Sequence, residues 1–127
     1  MNILIIGGAY QGKRQFAMKQ FGLSSHDIAD GAHIDLEQPF YTPAIMNIHI
    51  LVRRMLQAGK NTDFLFTQLE NHIVLCDEIG CGVVPISEEE NQWRETVGRL
   101  CCALAERADK VYWLRAGISQ CIKGNTI

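Results

Sequence analysis

The sequence predicts a three-layer α/β fold built on a small, mainly parallel sheet of about four to five strands, and three observations carry that prediction. The first is the unbroken apolar run Ile3 to Ile6, which lacks the alternation of a half-exposed strand and reads as a strand covered on both faces. The second is that further short apolar runs alternate with segments of helical periodicity, the pattern of parallel βαβ units with right-handed crossovers. The third is that glycines at 7, 8 and 12 follow the first run and a helical pattern begins at once, so strand, loop and helix succeed one another without a linker.

The elements follow in order. Lys13 to Phe21 reads as a helix, with Gly22 where a left-handed C-cap belongs. A short second strand falls within His26 to Leu36, either Asp27-Ile28-Ala29 or Ala32-His33-Ile34-Asp35. Thr42-Pro43 offers an N-cap with proline at the first helical position, and Ala44, Ile45, Ile48, Leu51, Val52, Met55 and Leu56 then recur on one helical face as far as Gly59. His49 lies beside that stripe and reads as a packed histidine. Thr62 can cap a brief helix through Leu69, and His72 to Cys76 is another fully apolar strand. Ser87 and Glu90 form a capping box that opens a long helix with a buried stripe from Trp93 to Ala108. Val111 to Leu114 is the last clear strand, with a further piece near Ile118 to Ile122.

Composition limits what this fold can do. With 127 residues, 47% of them hydrophobic and a net charge of −2, residues 1–127 fit one folded domain and show no electrostatic footprint for nucleic acid or an anionic membrane. No apolar run approaches the roughly 20 residues needed to span a bilayer, and the apolar start lacks a basic flank and a cleavage site, so the expected location is the cytoplasm. The five cysteines include no C-x-x-C and no histidine at zinc-finger spacing, and are expected as free thiols.

The chemistry sits in Gly7-Gly8-Ala9-Tyr10-Gln11-Gly12-Lys13, which matches G-x-x-x-x-G-K between a strand and a helix and makes the fold P-loop NTPase-like. Glycines there let backbone N–H groups turn inward around a phosphate, the helix N-terminus adds partial positive charge, and Lys13 reaches the terminal phosphates of a nucleoside triphosphate, GTP or ATP. Where such a loop carries Ser or Thr for Mg²⁺, this chain has Arg14, whose guanidinium has no acceptor. Three consequences stay open: Mg²⁺ is held by other groups, Arg14 contacts phosphate instead, or catalysis is lost while anion binding persists. Asp77 and Glu78 follow an apolar strand directly and so share the carboxyl edge of the sheet with the loop; either could hold Mg²⁺ through water or accept a proton from a hydroxyl.

Several segments resemble the adenosylcobinamide kinase/adenosylcobinamide-phosphate guanylyltransferase family of cobalamin assembly. Its N-E-V-G-x-G-[IV]-V-P segment is matched by Asp77-Glu78-Ile79-Gly80-Cys81-Gly82-Val83-Val84-Pro85. Its F-R-D…G-R-x-N-Q helix is matched in part by Trp93-Arg94-Glu95 and Gly98-Arg99-Leu100, with Cys102 in place of the Asn. Its closing A-D-E-V-Y-x-V-x-x-G…I-K-G is matched by Ala108-Asp109-Lys110-Val111-Tyr112 through Gly117-Ile118, then Ile122-Lys123-Gly124, and its G-G-A-R-S-G-K-S loop by Gly7 to Lys13. Most of the family's middle is absent, including the H-H-x-x-R-P motif whose histidine carries the guanylyl group. Neither His33 nor His49 has a paired histidine or a following R-P.

The resemblance implies a kinase that moves the γ-phosphoryl group of GTP or ATP to the aminopropanol hydroxyl of a corrinoid. Lys13 and Glu78 would be catalytic, Gly7 to Arg14 would bind nucleotide, Asp77 and Glu78 would serve a metal, and the protein would be a homo-oligomer. The guanylyltransferase step is not expected. A second reading is a nucleotide- or anion-binding relative without either activity.

Overall fold

The computed structural model describes residues 1–79 and 87–124. The elements run β1 (Ile3–Gly7), α1 (Lys13–Phe21), a short 3₁₀ turn (Ser25–Asp27), β2 (Ile28–Asp30), β3 (Ala44–Met46), α2 (Ile48–Gln57), α3 (Phe64–Gln68), β4 (Ile73–Asp77), α4 (Glu88–Arg107), β5 (Lys110–Arg115) and β6 (Ile118–Lys123). They form a single six-stranded sheet in the order β2-β3-β4-β1-β5-β6. All neighbours are parallel except β5 and β6, which form an antiparallel hairpin.

β1 lies between β4 and β5, which explains its composition, because both faces of Ile3 to Ile6 are covered. Leu4, Val74, Cys76 and Val111 face α2, α3 and α4 in one core layer. Ile3, Ile5, Leu75, Tyr112 and Leu114 face α1 through Phe16, Ala17 and Phe21 in the other. The result is the three-layer α/β architecture that the sequence implies, with helices on both faces of a mainly parallel sheet.

The strand count exceeds the expected four to five because of β3. The helix expected from Pro43 begins at Ile48, with Asn47 at its N-cap, and Ala44-Ile45-Met46 is a strand between β2 and β4. Ala44 and Ile45 are fully buried, and Ile73 N–H donates to the Pro43 carbonyl at 3.0 Å, so sheet pairing claims residues whose spacing also suits a helix. The second strand is Ile28–Asp30, the first of the two alternatives shifted by one residue, since Asp27 closes the 3₁₀ turn. The brief helix after Thr62 starts at Phe64, and Leu65 N–H bonds back to the Thr62 carbonyl at 3.1 Å. Other signals held: Gly22 is left-handed at φ 66°, and Ser87 Oγ accepts Glu90 N–H at 3.1 Å at the start of α4. Among the described residues, no helix is long and apolar enough to cross a membrane.

Candidate functional site

The carboxyl ends of β1, β3 and β4 converge at one edge of the sheet, where open α/β sheets place ligands. β1 ends at Gly7, a position with no room for a side chain: a Cβ there would lie 2.6 Å from the Leu114 carbonyl oxygen of β5. The chain then turns through Tyr10 (φ 61°) and Gly12 (φ 87°), both left-handed, before α1 begins at Lys13. Tyr10 is fully exposed at the tip. Gln11 ties the loop to the β5–β6 turn. Its side-chain oxygen accepts Ala116 N–H, and its carbonyl accepts Gly117 N–H at 3.2 Å. The first turn of α1 has neither a side-chain cap nor an acidic residue, so its N–H groups and partial positive charge are left for an anion.

Lys13 is 9% exposed, unusually low for a lysine, and its ammonium is fully engaged. It donates to the carbonyls of Gly7 at 3.2 Å and Gly8 at 2.8 Å, and it meets Asp77 Oδ1 at 2.7 Å. The other Asp77 oxygen lies 3.4 Å from His49 Nε2, and Asp77 N–H donates to His49 Nδ1 at 3.3 Å. Because Nδ1 accepts, Nε2 carries the ring proton and points it at the carboxylate. Burial holds His49 below its ordinary pKa of 6.5; Asp77 pulls the other way, while Lys13 and Arg53 add to the lowering. Lys13, Asp77 and His49 thus form one chain of contacts from α1 through β4 to α2. The start of α2 is fixed in turn by Trp93 Nε1 on the His49 carbonyl at 2.7 Å, with the Arg53 guanidinium 3.6 Å above the Trp93 ring.

A cleft of about 650 Å³ opens over this edge, lined by Ala9 to Gln15 together with Met46, Asn47, Leu75 and Asp77. Of the residues that the sequence singles out, Ala9, Tyr10, Gln11, Gly12, Lys13, Arg14 and Asp77 meet there, while Gly7 and Gly8 do not line the cleft and instead hold Lys13 through their carbonyls. Arg14 lines the cleft and makes no hydrogen bond or ion pair among the described residues. Glu78 is separate. Its N–H donates to the Gly7 carbonyl at 2.9 Å, but its side chain is exposed and does not line the cleft. Gly80 to Pro85, the rest of the family-like segment, lie outside the described residues.

Two contributors escaped sequence reasoning. His49 is buried as expected, but its ring serves Asp77 rather than the apolar stripe alone. Asn47, left-handed at φ 59°, lines the cleft and donates to Asp30 Oδ1 at 2.8 Å. Both follow β3 directly, so placing that strand would have brought them to the carboxyl edge.

As for a metal, the described residues hold no cluster of three His, Cys, Asp or Glu that could chelate one. The carboxylate that lines the cleft is Asp77, which suits a cation such as Mg²⁺ that keeps several waters and takes its other ligands from phosphate. Arg14 adds a cation there and no donor oxygen.

Among known proteins, the model of the family described as "Cobinamide kinase / cobinamide phosphate guanyltransferase" matches residues 47–122, well over half of the chain. That match runs from the N-cap of α2 through the described part of the Asp77 segment, α4, β5 and most of β6. No curated protein matches the chain.

Proposed function

The chain belongs to the cobinamide kinase / cobinamide phosphate guanyltransferase family, and from that premise we propose that it binds GTP or ATP over Gly7–Lys13 and phosphorylates a corrinoid hydroxyl. The observation that carries this reading is the buried Lys13, 2.7 Å from Asp77, lining the cleft beside an uncapped helix N-terminus. Phosphoryl transfer asks a protein mainly for positioning and for charge placed against the phosphate oxygens. Backbone N–H groups from Gly8 to Lys13 would cradle the phosphates, and Lys13 would follow the charge that develops on the transferred group. Mg²⁺, when bound, would neutralise charge between the phosphates, and Asp77 is the residue that would hold it through water. Asp77 is the carboxylate of the cleft available to take the proton of the attacking hydroxyl.

Arg14 favours a second reading, a relative that binds nucleotide without turning it over, because a guanidinium grips phosphate and cannot ligate the metal. One experiment separates the two. The purified chain is incubated with GTP or ATP, Mg²⁺ and cobinamide, and the corrinoid is weighed by mass spectrometry. Formation of a phosphorylated corrinoid is the expected result. Calorimetry showing nucleotide bound without need of Mg²⁺, and no product, would reject the kinase. Arg14→Ser then reports on the loop: gained hydrolysis marks a decayed site, and lost affinity marks Arg14 as a phosphate ligand. Lys13→Ala should weaken triphosphate binding by about ten- to a hundredfold in either case, the worth of a charge-assisted hydrogen bond.

A further inference from the structure

Behind the cleft, on the side of the sheet packed by α4, the sulfurs of Cys76 and Cys101 lie 3.6 Å apart. Cys76 is the last core residue of β4 and is completely buried, while Cys101 sits half-buried in the stripe of α4. Neither position needs a thiol for packing alone, since a small hydrophobe would serve. What sets the pair apart is that a core strand and the helix that follows it, 25 residues apart in the chain, present sulfur to sulfur. A disulfide requires about 2.05 Å, so the gap to close is about 1.5 Å, within reach of a small rotation of the partly exposed Cys101 side chain. Cys102, next in the chain, is exposed.

We propose that Cys76 and Cys101 are a redox modification site, in which a hydroperoxide closes a disulfide between β4 and α4. The half-buried Cys101 is the sulfur that a small oxidant reaches. It attacks the peroxide O–O bond to become a sulfenic acid, and the other oxygen leaves as water when the oxidant is hydrogen peroxide. Cys76 then attacks the Cys101 sulfur, the S–S bond forms, and the sulfenic oxygen departs as a second water with the Cys76 proton. Two thiols are oxidised, one peroxide is reduced, and a thiol reductant reverses the result. Because Asp77 directly follows Cys76, the cross-link tethers to α4 the strand end that carries the Lys13 counter-charge.

The test treats the folded full chain with hydrogen peroxide, removes it, alkylates the remaining thiols and maps the peptides by mass. The expected product is an intramolecular Cys76–Cys101 link that leaves three of the five cysteines alkylatable. It should form at the same rate after tenfold dilution and disappear on reduction. Cys101→Ser should abolish it and Cys102→Ser should leave it intact. The closed protein should melt several degrees higher, since the bridge closes a long loop of the unfolded chain. A link through any other cysteine, an intermolecular link, or sulfinic acid at Cys101 without a link would overturn the proposal. Cys101→Ser, at a partly exposed position, guards against a loss caused by misfolding of a Cys76 variant.

Discussion

Replacing Asp77 by Asn tests the central claim about the site, that one carboxylate both anchors Lys13 and keeps it from a phosphate. At 2.7 Å the Lys13–Asp77 attraction is large in gross terms, about 6 kcal/mol at an effective dielectric near 20. Desolvation of both ions offsets most of it. The two side chains are 10% and 22% exposed, so solvent screens the pair further. Asparagine keeps an oxygen for Lys13, and the Gly7 and Gly8 carbonyls remain. The net cost should therefore be about 2 kcal/mol, a melting temperature lower by roughly 6–12 °C for a chain of this size.

Anion binding should move the opposite way. A polyphosphate entering without metal meets the Asp77 charge; repulsion at about 6 Å and an effective dielectric near 40 comes to about 1.4 kcal/mol, a factor of about ten. Asp77→Asn should then bind inorganic triphosphate about tenfold more tightly in the absence of Mg²⁺, and Mg²⁺ should help it less than it helps the wild type. Differential scanning calorimetry and isothermal titration on the same preparations give both numbers. If stability and metal-free affinity fall together, or if neither changes, the carboxylate does not compete for Lys13 and the reasoning fails.

Two further predictions concern the supports of the site. Gly7→Ala should destabilise the protein by about 2–3 kcal/mol in urea unfolding, because its Cβ would sit 2.6 Å from the Leu114 carbonyl, whereas Gly8→Ala, whose Cβ meets only the end of Gln11 at 3.6 Å, should cost far less; equal losses would refute this account of where β1 ends. His49, held below 6.5 by burial, binds its proton more weakly in the folded chain than in the unfolded one. Its contribution is thus fully present above that value and is lost as pH falls through the folded pKa. Urea denaturation of wild type and His49→Gln from about pH 5 to 8 should show the wild-type advantage shrinking on the acid side, and an advantage that grows there would contradict the assignment.

Much of this was legible in the sequence where a residue has a single physical use. Gly22 and Ser87 mark helix ends by backbone freedom and by capping, so those boundaries were read correctly. Ile3 to Ile6 could hardly be anything except a doubly covered strand. β3 was illegible for the opposite reason: Ala44 and Ile45 continue the apolar spacing of α2, and only the pairing with β2 and β4, a long-range fact, separates strand from helix. His49 was lost with it. On a helix that starts at Pro43 it lies mid-element beside a stripe; on a helix that starts at Ile48 it lies in the first turn, at the sheet edge, within reach of Asp77.

The distinction between the two carboxylates follows from the same geometry. Successive residues at a strand end face opposite ways, so Asp77 and Glu78, equivalent by position in the chain, cannot both look into the cleft. Asp77 meets Lys13 in the cleft, whereas the exposed Glu78 does not line it. Lys13 spends its charge on Asp77 while the cleft is empty, whereas Arg14 has no such partner among the described residues. On the proposed reading, an arriving phosphate would therefore meet Arg14 first and gain Lys13 only as Asp77 yields it. If the proposed nucleotide site is right, anion affinity should begin at Arg14, and Arg14→Ser should slow association of metal-free triphosphate more than it speeds release.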